Sequence, residues 1–463
     1  MCPVISYLHF AELAGQTLLR LPLDSHATQK QMCFVPRPHA PLMPAADAER
    51  AVGIDWYATT SAPCPARARS TVDEFAVEEL VQLSGLVTEA RDDYYPLYRV
   101  EKRSLDTLHM AHELSEALRS KVSYGGLKDK RAFAVQYATP TSLRSARPPQ
   151  VTRAKFTASL VGYVPSPLSR AALVGNRFEV VLRDCCPGIE AAIEGVFRLA
   201  EARRLPNFYG LQRFGTAGAG THRIGRALVR REFEEAVRLM LFGESSADDE
   251  TTRAAREAMT SGRFEEGVRL LPRGRDVERL VARELSRRPR DWVGAMRGVP
   301  VRLRRLYVQA YQSMIFNKSL SIALTRGEEL SEFREGDNWA EVSADGLVTS
   351  RIRGVRDPPG ARVVPMMQIV GYAFRDYGSR CDACVMEALE TEGILPRQFY
   401  IQEMQEVSAE GGFRRPHLAL RDGSWDVEGT TAALKFMLGK GQYATILLRE
   451  IVKAADPAGA GIA

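Results

Sequence analysis

Alternating apolar and polar positions predict β-strands in the first half of the chain. In the stretch 72–80, Phe75, Val77 and Glu79 share one side of an extended backbone, because successive side chains of a strand point to opposite faces. Further strands are predicted at 94–100, 133–137, 154–161 and 178–182, which have the apolar and aromatic content typical of strands.

Two helices are predicted among these strands. Between 106 and 119, apolar residues recur every three or four positions, and Asp106 is placed to cap the N-terminus. The stretch 188–204 has the same spacing and ends before Pro206, which cannot continue a helix. This order of strands and helices predicts an α+β fold with a mixed sheet.

The pattern changes after about residue 208. Helices are predicted at 224–241, 252–261, 275–287 and 302–324. Between 340 and 430, short apolar runs alternate with glycine and proline, which indicates short strands and loops. Residues 436–452 predict a strand and a helix that complete the first domain, so the helical part is expected to be an insertion.

The chain has 463 residues, which is too long for a single ordinary hydrophobic core. We expect an N-terminal extension (1–52), the first part of a sheet domain (53–205), an insertion domain (206–430), a return to the sheet domain (431–453) and a disordered tail (454–463). The tail is expected to be disordered because it lacks bulky residues.

Composition and charge point to a soluble protein with a phosphate-bearing partner. The chain is 45% hydrophobic and 26% charged, and its net charge is +6. Arginines cluster, for example as Arg203-Arg204 and Arg230-Arg231. Such clusters suit phosphate, although about half of them are expected to be solvated helix faces. No apolar run approaches the roughly 20 residues of a membrane span, so no membrane is expected as a partner.

The seven cysteines are scattered, and their odd number does not fit the disulfide framework of a secreted domain. A reducing compartment is the simpler interpretation. Cys381 and Cys384 form one CxxC pair without a second pair or a nearby histidine, so zinc is not expected. No metal and no small-molecule cofactor is predicted.

The N-terminal extension is poor in acidic residues and rich in proline from Pro36 to Pro44. An organelle-targeting segment is one interpretation, although its basic residues, Arg20, Lys30 and Arg37, are sparse for one. A mitochondrial and a nuclear or cytoplasmic location both stay open.

The stretch Ser123–Ala132 concentrates two glycines, one carboxylate and three cations. The paired glycines permit a tight turn and the close approach of a ligand. Asp129, surrounded by Lys128, Lys130 and Arg131, is expected to stay ionised and to face a polyanion. Taken alone, such a tetrapeptide is more typical of a solvated surface turn.

Seven blocks of sequence, considered together, resemble the sequence pattern of a known protein family. They are DEFAVEE at 73–79, GLKDKRA at 126–132 with Gln136, VGNRF at 174–178, PNFYGLQRFG at 206–215, YQSMIFN at 311–317, GGFRRP at 411–416 and LGKGQYAT at 438–445. Their order and spacing resemble the TruD family of pseudouridine synthases from about residue 67 to 452. The sequence departs from the family's usual pattern at Phe208-Tyr209, Leu211 and Gly439, none of which touches the chemistry.

The resemblance implies a mixed-sheet catalytic domain with a TruD-type insertion domain, which isomerises a uridine within RNA to pseudouridine. Asp129 falls on the family's catalytic aspartate. Asn176 and Phe178 fall where the family places residues against the target base, one to bond its edge and one to stack on its face. Arg69 lies where the family often has a cation near the carboxylate, and Arg67 is its rival.

Other positions are less firmly implied. Lys128 is counted among the substrate-binding residues, but neighbours on an extended chain point to opposite faces, so a cation from elsewhere is expected to pair with the catalytic carboxylate. Lys130, Arg131 and Arg213 are expected to contact RNA. For Arg213 and its block, packing at a domain junction is an equal alternative, and Phe178 has a place in the core as its alternative.

The target uridine is expected to leave its stack and reach a buried carboxylate. That group either forms a glycosyl adduct or takes the 2′ proton to give a glycal, and the sequence does not choose between these routes. The alternative function is a non-catalytic RNA-binding scaffold or ribosome-assembly factor that retains the fold. The RNA is transfer, ribosomal or messenger RNA, and a ribosomal assembly particle is a further candidate partner.

Overall fold

One mixed sheet of ten strands organises the part of the chain that the structure describes. The structure is a computed structural model, and the residues described are 42–215, 220–243, 249–343, 348 and 362–463. Residues 1–41 of the predicted N-terminal extension lie outside these residues, whereas 42–52 are described and include the buried Glu49 and Val52.

The strands are β1 Met43–Pro44, β2 Trp56–Tyr57, β3 Arg67–Ala68, β4 Phe75–Val81, β5 Tyr95–Arg103, β6 Val122–Tyr124, β7 Phe133–Pro140, β8 Gln150–Arg153, β9 Phe156–Val164, β10 Leu173–Arg183, β11 Leu205–Pro206, β12 Trp339–Glu341, β13 Val363–Pro365, β14 Met367–Ile369, β15 Gly412–Arg414, β16 His417–Leu418, β17 Leu420–Glu428 and β18 Thr431–Gly439. The α-helices are α1 Asp47–Arg50, α2 Thr107–Leu118, α3 Ile189–Glu201, α4 Thr221–Val229, α5 Phe233–Phe242, α6 Glu250–Thr260, α7 Phe264–Leu270, α8 Asp276–Arg287, α9 Trp292–Gly298, α10 Val301–Thr325, α11 Arg380–Glu392 and α12 Ala444–Val452.

The large sheet has the order β17-β18-β10-β4-β7-β5-β9-β8, with β3 beside β10 and β6 beside β7. Strands β4 and β7 run parallel, and the other neighbours in this sheet run antiparallel. The predicted α+β class with a mixed sheet is confirmed.

The two faces of the sheet differ as the alternation predicts. Phe178 on β10 lies between Val77 on β4 and Phe436 on β18, and this face belongs to the buried core with α3 and α12. The opposite face carries charge, since Arg177 Nη1 lies 3.2 Å from Glu78 Oε2. One face of these central strands therefore packs against helices around Phe178, while the other carries the Arg177–Glu78 ion pair.

Most predicted helices are present, with local differences. Asp106 caps α2 as expected, and its carboxylate accepts hydrogen bonds from the main-chain N–H groups of Leu108 and His109. The single helix predicted at 224–241 is two helices, α4 and α5, because the chain turns at Arg231, where φ is +63°. Helices α1, α7, α9 and α11 were not predicted.

The helical part shares its core with the sheet domain. The apolar core runs from β10 through α4 and α5 to α10, and the described residues form one compact unit. The chain rejoins the large sheet at Leu420, before the boundary predicted at 431. The domain limits given above otherwise stay predictions.

The C-terminal tail differs from the predicted disorder. Ala460 and Ile462 are buried, and Ala68 donates its main-chain N–H to the carbonyl of Ala460 at 2.9 Å. A Cβ at Gly461, where φ is +71°, would lie 2.1 Å from the Ala68 oxygen. The lack of bulk that suggested disorder is what lets this backbone approach β3 so closely.

One disulfide joins Cys64 to Cys186, whose Cα atoms are 5.6 Å apart. It was not predicted, and it ties the segment before Arg69 to the start of α3. Cys381 and Cys384 are free thiols inside the core. Among the residues described, no helix has the length and apolar character needed to cross a membrane.

Candidate active site

The loop that follows β6 carries Asp129 across the sheet. A Cβ on Gly126 would lie 3.3 Å from the Leu173 side chain, so glycine allows the loop to pass close to the start of β10. Lys128 donates its main-chain N–H to Thr107 Oγ1 at 2.9 Å, which fixes the loop to the start of α2. Two elements far apart in sequence thus hold the backbone beside Asp129.

Asp129 pairs with Arg69. Arg69 Nη2 lies 3.2 Å from Asp129 Oδ2, whereas the rival Arg67 pairs with Asp184 through Nε at 2.8 Å. The side chain of Asp129 is 48% exposed and that of Arg69 is 10% exposed. The expectation of a buried carboxylate is therefore not met: the acid lies at the mouth of the site, and its cation lies beneath it.

Arg69 is held by an aromatic ring. Its Cζ lies 4.0 Å from the centre of the Phe75 ring, a cation–π contact. Burial lowers the pKa of Arg69, and the neighbouring Asp129 carboxylate opposes this shift. The guanidinium remains charged at neutral pH, because an arginine pKa starts above 12.

Phe178 belongs to the core beneath this pair. Its ring packs edge-on against Phe75, with centroids 6.1 Å apart, and stacks on Phe436 at 5.4 Å. Only 7% of Phe178 is exposed. Phe178 is therefore a core residue, as one of the two interpretations of the sequence predicts. Its contact with a base stays a prediction.

Lys128 points inward, away from the exposed side of Asp129. Its Nζ lies 2.5 Å from Asn176 Oδ1 and 3.1 Å from Glu79 Oε1. Burial raises the pKa of Glu79 and lowers that of Lys128, and in each case the opposite charge of the partner counteracts the shift. Lys128 therefore supports Asn176 from within and does not itself face the open side.

Two functional candidates were missed by the sequence analysis. Glu79 has a fully buried side chain and accepts the main-chain N–H of Tyr137 at 3.1 Å. Lys102 Nζ donates to the carbonyl oxygens of Leu105 at 2.5 Å and Asp129 at 3.2 Å, and burial lowers its pKa to about 8. A signal existed for Glu79, since it is an acid on the apolar side of its strand.

The predicted RNA-contacting cations lie in two places. Lys130 and Arg131 are exposed immediately after Asp129. Arg213, on the short helix Leu211–Phe214, bonds Ser313 Oγ through Nε at 3.2 Å and the Gln309 side chain at 3.1 Å. Arg213 is thus anchored to α10.

Aromatic and cationic side chains surround Tyr209 at the junction with the insertion. Arg414 Cζ lies 4.0 Å from the centre of the Tyr209 ring, and the Tyr443 ring centre lies 6.2 Å from it. Asn317 Oδ1 accepts the Tyr209 main-chain N–H at 2.8 Å. A cavity of about 500 Å³ lies alongside, lined in part by Tyr209, Arg213, Arg305 and Gln309. Four of the sequence blocks, 206–215, 311–317, 411–416 and 438–445, therefore meet here beside a cavity.

Nothing in the described ranges groups three or more His, Cys, Asp or Glu side chains as a metal site. The chemistry available at this site is that of one half-exposed carboxylate with a buried arginine beneath it. The Asn176 amide, which is bonded to Lys128, the residue before Asp129, belongs to the same site. This set fits an enzyme that rearranges a glycosidic bond.

Comparison with known proteins defines the class. The family model described as tRNA pseudouridine synthase D (TruD) matches residues 51–451. A probable tRNA pseudouridine synthase D from Pyrobaculum arsenaticum is 32% identical over 423 residues, covering 88% of this chain and 97% of the relative. The tRNA pseudouridine synthase D of Geobacter metallireducens is 30% identical over 398 residues, covering 84% and 95%.

A solved structure agrees with these matches. The crystal structure of the putative tRNA pseudouridine synthase D from Methanosarcina mazei superimposes with a TM-score of 0.73 at 26% identity, covering 89% of this chain and 99% of that one. The family match and the named relatives define an RNA-modifying isomerase. The chain belongs to the TruD family of pseudouridine synthases.

Proposed function

We propose that this protein isomerises a specific uridine in RNA to pseudouridine, with Asp129 as the catalytic carboxylate. The observation that supports this most is the Arg69–Asp129 pair, which stands beside the supported amide of Asn176 in a TruD-family chain. Because its relatives are named for tRNA, tRNA is the first substrate to test, and ribosomal and messenger RNA are the alternatives.

The reaction breaks the bond between ribose C1′ and uracil N1 and forms a bond between C1′ and C5. The proton on C5 leaves and N1 gains one, so no electrons are exchanged and no water is added. Asp129 either attacks C1′ to form an adduct or removes the 2′ proton. Arg69 orients the Asp129 carboxylate in both routes, and the extruded ribose would cover the exposed side of the carboxylate.

The remaining site residues have supporting roles in this proposal. Asn176 bonds the edge of the base, and Phe178 with Phe75 forms the apolar floor under it. Lys130 and Arg131 attract the flanking phosphates, whose contacts offset the cost of unstacking, a few kcal/mol. A mitochondrial location and a ribosomal assembly particle stay predictions from the sequence.

The test is to incubate the protein with purified transcripts of transfer, ribosomal and messenger RNA and to map pseudouridine by carbodiimide-dependent reverse-transcription stops. Asp129→Asn should abolish the stops while RNA binding is retained. Asp93→Asn, an exposed acid paired with Arg91, is the matched control and should modify RNA like the wild type. Undiminished modification by Asp129→Asn would refute the assignment, and RNA binding by a wild type that modifies none of these RNAs would favour the scaffold function.

A further inference from the structure

We propose that Asn176 meets the target uracil as a hydrogen-bond donor, because the buried Lys128 holds its amide oxygen inward, and that this polarity lets one side chain hold uracil both before and after it turns. The inference rests on the proposed function. It adds the direction of the hydrogen bond, the atoms of the base that receive it, and a positioning role for Lys128 and Glu79.

The first step is the orientation of the amide. A lysine ammonium has three donors and no acceptor, so the atom of Asn176 that faces Lys128 Nζ at 2.5 Å is the oxygen. The NH₂ group therefore occupies the other position. Within the described part of the chain, Nδ2 of Asn176 has no hydrogen-bond partner, and the residue is partly exposed. What Asn176 offers to a ligand is a pair of N–H donors.

The second step is what keeps the amide from turning over. Lys128 is itself fixed by the buried carboxylate of Glu79 at 3.1 Å, and Glu79 is tied to β7 by the Tyr137 N–H at 3.1 Å. Reversing the amide would place its N–H groups against the lysine donors and remove one acceptor from a buried cation, which is unfavourable. The chain Tyr137–Glu79–Lys128 thus sets the polarity of Asn176.

The third step is the symmetry of the base. Turning uracil over about the line through N3 and C6 exchanges N1 with C5, which is the exchange the reaction requires. The same turn exchanges the carbonyls at C2 and C4. A donor that meets one carbonyl before the turn therefore meets the other after it, and the side chain need not move. Cytosine would instead bring its amino group against the Asn176 N–H, so the same polarity disfavours cytosine.

The test uses a synthetic oligoribonucleotide with the mapped uridine, or with 2-thiouridine or 4-thiouridine at that position alone, followed by nucleoside mass spectrometry under single-turnover conditions. Sulfur accepts hydrogen bonds more weakly than oxygen. We expect the wild type to convert each thio substrate about tenfold more slowly than uridine, the ratio that one weakened hydrogen bond gives. Asn176→Ala should be slower on uridine and should treat the three substrates alike.

The positioning role has its own readout. Lys128→Met frees the amide to turn over, so it should lower the preference for uridine over both thio substrates while RNA binding is retained. If that variant does not fold, the comparison of wild type with Asn176→Ala still decides. Conversion of both thio substrates at the uridine rate would overturn the inference. So would slow conversion of only one of them, or a preference for uridine over the thio substrates that persists in Asn176→Ala. These outcomes leave the proposed function intact, whereas a wild type that converts no uridine removes both.

Discussion

Arg69 and Asp129, sixty residues apart in sequence, form an ion pair in which the arginine is nearly buried and the acid is half exposed. The guanidinium is stacked on Phe75, so it has little freedom to follow the carboxylate if the loop moves. The orientation of the Asp129 carboxylate is therefore set mainly by Arg69, in the segment before β4, and less by the loop that carries Asp129.

Replacing Arg69 by methionine should lower the rate of pseudouridine formation about 100-fold, because one fixed charge at the reacting carboxylate is lost. RNA affinity should change little, since Arg69 lies beneath the acid. Single-turnover rates and filter binding measure the two quantities separately. Arg67→Met is the matched control: it removes the same group two residues away, where Arg67 pairs with Asp184 at the surface, and its rate should match the wild type. Equal losses in the two variants would contradict the role of Arg69.

Arg213→Gln should weaken RNA binding by a similar factor for RNAs of different sequence, because we expect the Arg213 guanidinium to contact phosphate, which carries no sequence information. The plot of log affinity against log salt concentration should lose about one unit of slope. Arg198→Gln, an exposed arginine on α3 paired with Glu194 in the same helix, serves as the control. An unchanged slope for Arg213→Gln would mean that this arginine only packs against Ser313 and Gln309.

Patterns within short stretches predicted much of the fold. The alternation around Phe75 predicts β4, and Asp106 predicts the start of α2, because both depend on the geometry of neighbouring residues. The break between α4 and α5 was missed, since Arg231 adopts a positive φ that its residue type does not announce. Where a chain turns without glycine or proline, a prediction from periodicity alone extends the helix past the turn.

The site was predicted unevenly for a similar reason. The resemblance implied Asp129, Asn176 and Arg69; the structure pairs Arg69 with Asp129, and it bonds Asn176 to Lys128, the residue before Asp129. The supporting residues Glu79 and Lys102 were missed. They lie on β4 and β5 and contact Lys128 and Asp129 in the loop, and no local pattern encodes a contact between such distant segments. A residue pairing that depends on strand order becomes visible only once the sheet is known.

Lys102 should make the stability of the protein depend on pH. Its folded-state pKa is about 8, below the ordinary value of 10.5, so between these values the unfolded chain holds more protons than the folded one. Raising the pH through this window therefore favours folding. The free energy of unfolding of the wild type, measured relative to Lys102→Met, should rise by about 2 kcal/mol between roughly pH 7 and pH 9.5.

Urea unfolding curves at several pH values measure this difference. Lys453, whose pKa burial also lowers to about 8, is present in both proteins and cancels. A difference that stays constant across the window would show that the Lys102 amine is not desolvated as the structure places it.

Glu49→Gln should destabilise the protein by about 3 kcal/mol, the lower end of the cost of breaking a buried ion pair. Glu49 on α1 lies 2.6 Å from Arg449 Nε on α12, and both side chains are only 3% exposed. Loss of the charge leaves the buried guanidinium with Glu450 as its remaining carboxylate partner among these residues. The exposed pair of Asp47 and Arg50 on the same helix is the control, and Asp47→Asn should unfold at the same denaturant concentration as the wild type. Equal midpoints for the two variants would show that the link between α1 and α12 does not contribute to stability.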